Sequence, residues 1–196
     1  RREELTEEEE AKVIFKVLVV KDTKSKAIFA HVIHKKGVES DGYSVTRLVE
    51  DVQWLGYRRI LMKTDNEPAI LQLLREAIKG IKTELVDVDQ VGEEHPPAYD
   101  SRSNGSVENA VKQVQGYLRT MKFSLERQIG LKVPGKHPVI AWLVEHAAWL
   151  LTIRRRGTDG PTAYQRTRGR QVGQRLRALG ASCLYKLPWK GPRLET

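Results

Sequence analysis

The chain has 196 residues, 40% of them apolar, which suffices for one domain of ordinary size plus a small appendage and excludes two large domains. Its one cysteine, Cys183, excludes an internal disulfide and a zinc site of the paired-cysteine kind, and a reducing compartment is the default expectation. With 34 Lys and Arg against 25 Asp and Glu the formal charge is +9, so a polyanionic partner is expected.

That charge is uneven. Residues 1–100 carry 16 basic and 20 acidic side chains, whereas residues 101–196 carry 18 and 5, so the second half is expected to face the polyanion. An opening Arg1 with no signal-peptide pattern after it is what an internal piece of a longer polypeptide would show. The first ten residues hold six glutamates and almost nothing apolar, so residues 1–12 read as an acidic lead-in outside the core. Val13 to Val20 is dense in β-branched residues and predicts a central strand. Asp22-Thr23-Lys24-Ser25 supplies turn chemistry, and Ala27 to Ile33 predicts a second strand, closing an antiparallel hairpin.

Between Gly42 and Leu55, Val45, Leu48, Val49, Val52 and Leu55 recur at three- and four-residue steps, the helical period, and Gly56 ends the run. Arg59 to Thr64 predicts a short strand. Helical spacing returns from Pro68 to Ile81, and Glu84 to Val88 predicts another strand. A hairpin followed by strand, helix and strand implies α/β architecture, a mixed sheet with helices on its faces. Residues 92–103, with two prolines and small polar side chains, read as a loop. Val107, Val111, Val114, Leu118, Met121 and Leu125 then give one apolar stripe of a long helix.

Val139 to Ile153 is an apolar run broken by Glu145, His146 and Thr152. It is short of the roughly 20 residues a membrane span needs, and it predicts a buried helix and no membrane partner. Trp142, Trp149 and Tyr117 sit at core spacing and read as packing residues. Residues 154–180 form an Arg-rich connecting segment, with eight arginines and one acid between 154 and 177, expected to be a solvated arm or a phosphate-contacting surface. Residues 181–196 look like the start of a small β module, with Cys183 a small buried hydrophobe in its first strand.

Two carboxylates stand out. Asp65 directly follows a predicted strand, at the edge where open α/β sheets build their sites; the alternative is that Asp65 or Asn66 caps the next helix. Glu108 falls in the first turn of the long helix, where the macrodipole favours an anion. Behind it Lys112, Gln115, Arg119 and Lys122 share a face, the arrangement for a carboxylate that holds a cation beside bases that hold phosphates. His31 and His34 lack a cysteine pair and read as core or surface residues, and Asp22 reads as a turn residue.

Asp65 at a strand end, the loop His95-Pro96-Pro97-Ala98-Tyr99, and Ser103-Asn104-Gly105-Ser106-Val107-Glu108 opening a long helix resemble the second and third acids of retroviral and retrotransposon integrase catalytic cores, members of the ribonuclease H-like superfamily. Leu18 to Lys26 is similar to the second and third strands of those cores. Gly160-Pro161-Thr162-Ala163-Tyr164-Gln165 through Gly169-Arg170 resembles the short helix after the core in retrotransposon polyproteins, and Cys183-Leu184-Tyr185-Lys186 the start of their C-terminal β module. The likeness covers most of residues 13–187, with residues 13–153 as the catalytic core.

The resemblance implies a ribonuclease H-like mixed sheet, Mg²⁺ or Mn²⁺ held by Asp65 and Glu108, and metal-dependent DNA integration by 3′-end nicking and strand transfer. It implies DNA as partner, element ends and target alike, held by Asn104, Lys112, Gln115, Arg119, Lys122, Arg154, Arg155 and Arg156. It also implies a homo-oligomer and an intracellular, nuclear or cytoplasmic, retroelement polyprotein as the source. The departures are specific. The 42 residues between Asp65 and Glu108 exceed the retroviral spacing, Asn109 replaces a common arginine, and Glu67 replaces a common glycine. The strand that carries the first catalytic aspartate precedes the hairpin in the family and is missing, so this chain is expected to bind DNA without catalysing strand transfer. The alternative is a DNA-binding or assembly remnant in which the acids only cap helices.

Overall fold

A computed structural model describes residues 15–94, 105–173, 176 and 179–181 of the chain. The acidic lead-in, the Pro-containing loop with Asn104, Cys183 and the β module lie outside the described residues. The elements run β1 (Lys16–Lys21), β2 (Ile28–Ile33), α1 (Tyr43–Leu55), β3 (Arg59–Lys63), α2 (Pro68–Glu84), β4 (Gln90–Glu94), α3 (Gly105–Ile129), α4 (Pro138–Arg154) and α5 (Ala163–Arg168).

β1 and β2 form the expected antiparallel hairpin, pairing Lys16 with Ile33 through Lys21 with Ile28. Asp22 organises its turn, accepting from the Ser25 amide at 2.6 Å and the Ser25 hydroxyl at 2.5 Å. β3 and β4 pair in parallel, Arg59 with Gln90 through Lys63 with Glu94. The last strand therefore lies at 90–94 rather than 84–88. α2 continues to Glu84, Leu85 and Val88 close over the core beneath it, and Val86 is 96% exposed. Gly92 lies within the strand at an ordinary negative φ, and a Cβ added there would make only a normal van der Waals contact with the Leu61 side chain, at 3.5 Å.

The two strand pairs are separate two-stranded sheets, and no ladder joins β1 to β3. One helical layer bridges them. Leu48 and Val45 of α1 with Leu73 and Ala77 of α2 pack against Leu18 and Val20 of β1, whereas Val49, Val52 and Ile81 pack with Ile60, Met62 and Val91 of β3 and β4. At one end the Tyr57 hydroxyl, just before β3, donates to Asp22 at 2.9 Å. At the other, Lys36, just after β2, pairs with Glu67 beyond β3 at 3.2 Å. β3 therefore runs with β2 and against β1.

On the opposite face α3 and α4 cover only the hairpin, through Ala110, Val114, Val144, Ala147, Ala148 and Leu151 against Ile28, Ala30 and Val19. α4 is anchored by Thr152, whose hydroxyl accepts from the Ile28 amide and donates to the Ile28 carbonyl, both at 2.9 Å. The α3–α4 turn is held by Glu126, a buried carboxylate that pairs with Lys122, accepts from the Val133 amide at 2.9 Å and pairs with Lys132 at 3.2 Å.

The Lys122 bond first, then those from Val133 and Lys132, hold the Glu126 carboxyl down at about 2 against an ordinary 4.5. A depressed acid stabilises the fold above its unfolded pKa and loses that contribution as pH falls through the folded one. Glu126→Gln is expected to melt at lower temperature than wild type at pH 7. The gap should close as pH drops from about 4.5 towards 2, as thermal melts across that range would show; a pH-independent gap would contradict the assignment.

Candidate metal and nucleic-acid site

Asp65 lies two residues beyond β3 and is exposed. The N-cap of α2 is Glu67, with extended backbone, no side-chain capping bond and Pro68 in the first turn, so neither Asp65 nor Asn66 holds the capping position. Three ion pairs surround this strand end: Glu67 with Lys36 at 3.2 Å, Glu94 with Lys63 at 2.9 Å, and Glu93 with Arg75 at 4.0 Å. Glu108 is the one acid in the first turn of α3 and is also exposed. Among the described residues no group of three or more His, Cys, Asp or Glu side chains is placed to hold a metal ion. Two exposed carboxylates are oxygen donors of the kind Mg²⁺ and Mn²⁺ take, but two alone fill only part of such an ion's coordination shell.

The basic residues divide into two groups. Lys112, Gln115 and Arg119 are exposed along α3, whereas Lys122 on the same helix is half-buried and engaged by Glu126. Arg154, Arg155 and Arg156 are exposed at the end of α4, which Thr152 ties to Ile28 beside the hairpin turn. That turn adjoins the start of β3 through Tyr57 and Asp22, so these three arginines sit at the opposite end of β3 from Asp65.

The segment after α4 is not a free arm throughout. Arg156 bridges to Thr162, Thr162 and Gln165 form a capping box, and Arg166 donates to the Ser25 carbonyl at 3.1 Å. Arg168 donates to the Trp54 carbonyl at 2.7 Å and lies over its ring. Trp54 contacts Phe29, Trp149 and Tyr164.

Trp149 packs edge-on against Trp54 and Tyr164 as its reading as a packing residue expects, with one side open, whereas Trp142 and Tyr117 are 50% and 40% exposed. Trp142 stacks on His146, and with Phe29, His31, Glu145 and Trp149 the two rings line an open cleft of about 290 Å³. His31 is buried, its Nε2 at 2.9 Å from the Asp51 carboxylate. Burial pushes the Asp51 carboxyl up, and the His31 contact opposes that shift.

This arrangement has the fold of an integrase-type catalytic core. The catalytic core domain of BIV integrase superposes with a TM-score of 0.51 at 17% identity, over 78% of this chain and 85% of that one. A chain of the simian T-cell lymphotropic virus intasome, in complex with the PP2A regulatory subunit B56γ, superposes with a TM-score of 0.55 at 17% identity, over 87% of this chain and 54% of the other. No family model matches the sequence, and no curated protein does either. No helix among the described residues is long and apolar enough to cross a membrane.

Proposed function

We propose that the chain is the greater part of an integrase core that processes DNA with divalent metal, acting on element ends and target within an oligomer. Asp65 and Glu108 are its second and third acids. The observation that carries this reading is the split sheet: β1 and β3 lie under one helical layer, run in opposite directions and are not paired with each other. A strand inserted between them would run against β1 and with β3, giving one mixed sheet, and an acid on that strand would complete the site.

Asp65 and Glu108 would hold Mg²⁺ or Mn²⁺, which when bound activates water or a 3′ hydroxyl and stabilises charge on the phosphate under attack. Lys112, Gln115 and Arg119 would fix the DNA backbone along α3 by charge-assisted and neutral hydrogen bonds, which set register without reading sequence. Without the third acid the two carboxylates would hold at most one ion, weakly, and the chain binds DNA without cutting it.

Residues 1–196 with Mg²⁺ or Mn²⁺ are expected to leave a labelled duplex end intact. The same chain preceded by a strand bearing an aspartate is expected to nick it, and Asp65→Asn should abolish that activity. Robust nicking by residues 1–196 alone would refute the need for a third acid.

A further inference from the structure

At the turn of the β1–β2 hairpin four cations gather with no carboxylate within ion-pair distance among the described residues: Lys21, Lys24, Lys26 and Arg155. The Lys21 Nζ donates to the Lys26 carbonyl at 2.9 Å, and the Lys26 Nζ donates to the Thr23 carbonyl at 2.5 Å. Lys26 adopts a φ of 69°, the one positive value at a non-glycine among the described residues. A glycine there would be unstrained, and the position carries a charge instead. Thr152 brings the end of α4, and with it Arg155, to the start of β2.

Lys21 registers this crowding. Burial, then Arg155 and Lys26, bring its amine down to about 8 from 10.5, with Asp22 opposing. Two acids share this end, Asp22, held by Ser25 and Tyr57, and Asp159, paired with Arg166; they act on Lys21 and Lys26 but leave the cations in excess.

We propose that Lys21, Lys24, Lys26 and Arg155 form a second phosphate-binding surface, which takes the sugar-phosphate backbone of a nucleic acid at the end of β3 away from Asp65. The turn Asp22-Thr23-Lys24-Ser25-Lys26 contains no apolar side chain. An acidic peptide would need an apolar anchor to dock with specificity, whereas a phosphate backbone needs only spaced cations. Exposed Arg154 and Arg156 extend the surface on one side. The five residues of β3, at about 3.3 Å each, place it some 16 Å or more from Asp65. The inference extends the DNA-binding reading to another surface and is independent of the acid pair.

The test is fluorescence anisotropy of a labelled 25-base-pair duplex with the full chain, titrated with NaCl. Lys24→Gln/Lys26→Asn/Arg155→Gln is expected to weaken binding roughly ten- to a hundredfold at low salt and to flatten the slope of log K against log salt by about 2 to 3. If that variant fails to fold, Lys24→Gln and Arg155→Gln separately, at exposed positions, should each remove about 0.9 from the slope. Unchanged affinity and slope would overturn the proposal, and loss in Lys112→Gln/Arg119→Gln alone would do so while leaving the α3 reading intact. Poly-glutamate binding as tightly as the duplex, with the same sensitivity to the hairpin variant, would overturn it in favour of an acidic peptide.

Discussion

Asp65→Asn and Glu108→Gln are each expected to weaken Mn²⁺ binding by roughly thirtyfold, and the double variant to be little worse than either single one. A carboxylate about 4 Å from a divalent ion in a water-like dielectric contributes about 2 kcal/mol, which corresponds to that factor. Both side chains are exposed, so the water-like value applies. The lack of additivity follows from shared coordination: once one ligand is gone the ion is no longer held in place for the other, and its removal costs little more. Titration of free Mn²⁺ by electron paramagnetic resonance measures all four species. Two independent surface ions would instead leave each single variant with half the bound Mn²⁺ at unchanged affinity, and the integrase reading of the pair would fail.

Thr152→Val is expected to destabilise the protein by about 2 to 6 kcal/mol, a large loss for a near-isosteric change. Thr152 is 1% exposed, and its hydroxyl serves both the amide and the carbonyl of Ile28. Valine matches its shape, yet leaves two buried backbone groups without a partner, each costing about 1 to 3 kcal/mol. Thr152→Ser keeps both bonds and loses one methyl group, about 1 kcal/mol. In a chain of this size each kcal/mol moves the melting temperature by roughly 2 to 4 °C. The valine variant should thus melt well below the serine variant, and equal melting temperatures would show that the hydroxyl does not tie α4 to β2.

Much of the scaffold was legible because it rests on local periodicity. Val45, Leu48, Val49 and Val52 marked α1, and the stripe from Val107 to Leu125 marked α3, since a helix repeats its buried face every three to four residues. The hairpin was legible from its β-branched runs and from Asp22-Thr23-Lys24-Ser25. β4 was not. Leu85, Val86 and Val88 have strand-like composition but close a turn, while the true strand contains Gly92, which composition assigns to a loop. Its strand conformation comes from pairing with Leu61 of β3, a contact distant in sequence that composition does not encode.

Trp142 and Trp149 show a second limit. α4 is apolar around most of its circumference, so spacing alone gives no clue to which face meets the sheet. Ala147, Ala148 and Leu151 make that contact, while Trp149 packs sideways on Trp54 and Tyr164 and Trp142 is half exposed. The His31–Asp51 pair, the anchoring of Glu126 to Val133 and the docking of Arg166 on Ser25 depend on contacts that no sequence period encodes. For the candidate site, Asp65 and Glu108 were legible as a strand end and a first helical turn. The division of the basic residues between α3 and the hairpin turn was not, because it depends on the path of the chain after Ile153.

Whether Asp65 and Glu108 grip one cation is decided by crystals of the chain soaked in Mn²⁺ and measured at a wavelength where manganese scatters anomalously. One anomalous peak is expected, with oxygen atoms of both Asp65 and Glu108 within about 2.0 to 2.6 Å, the range for hard cations on carboxylates. A peak touching neither acid, or two carboxylates too far apart to share one ion, would contradict it.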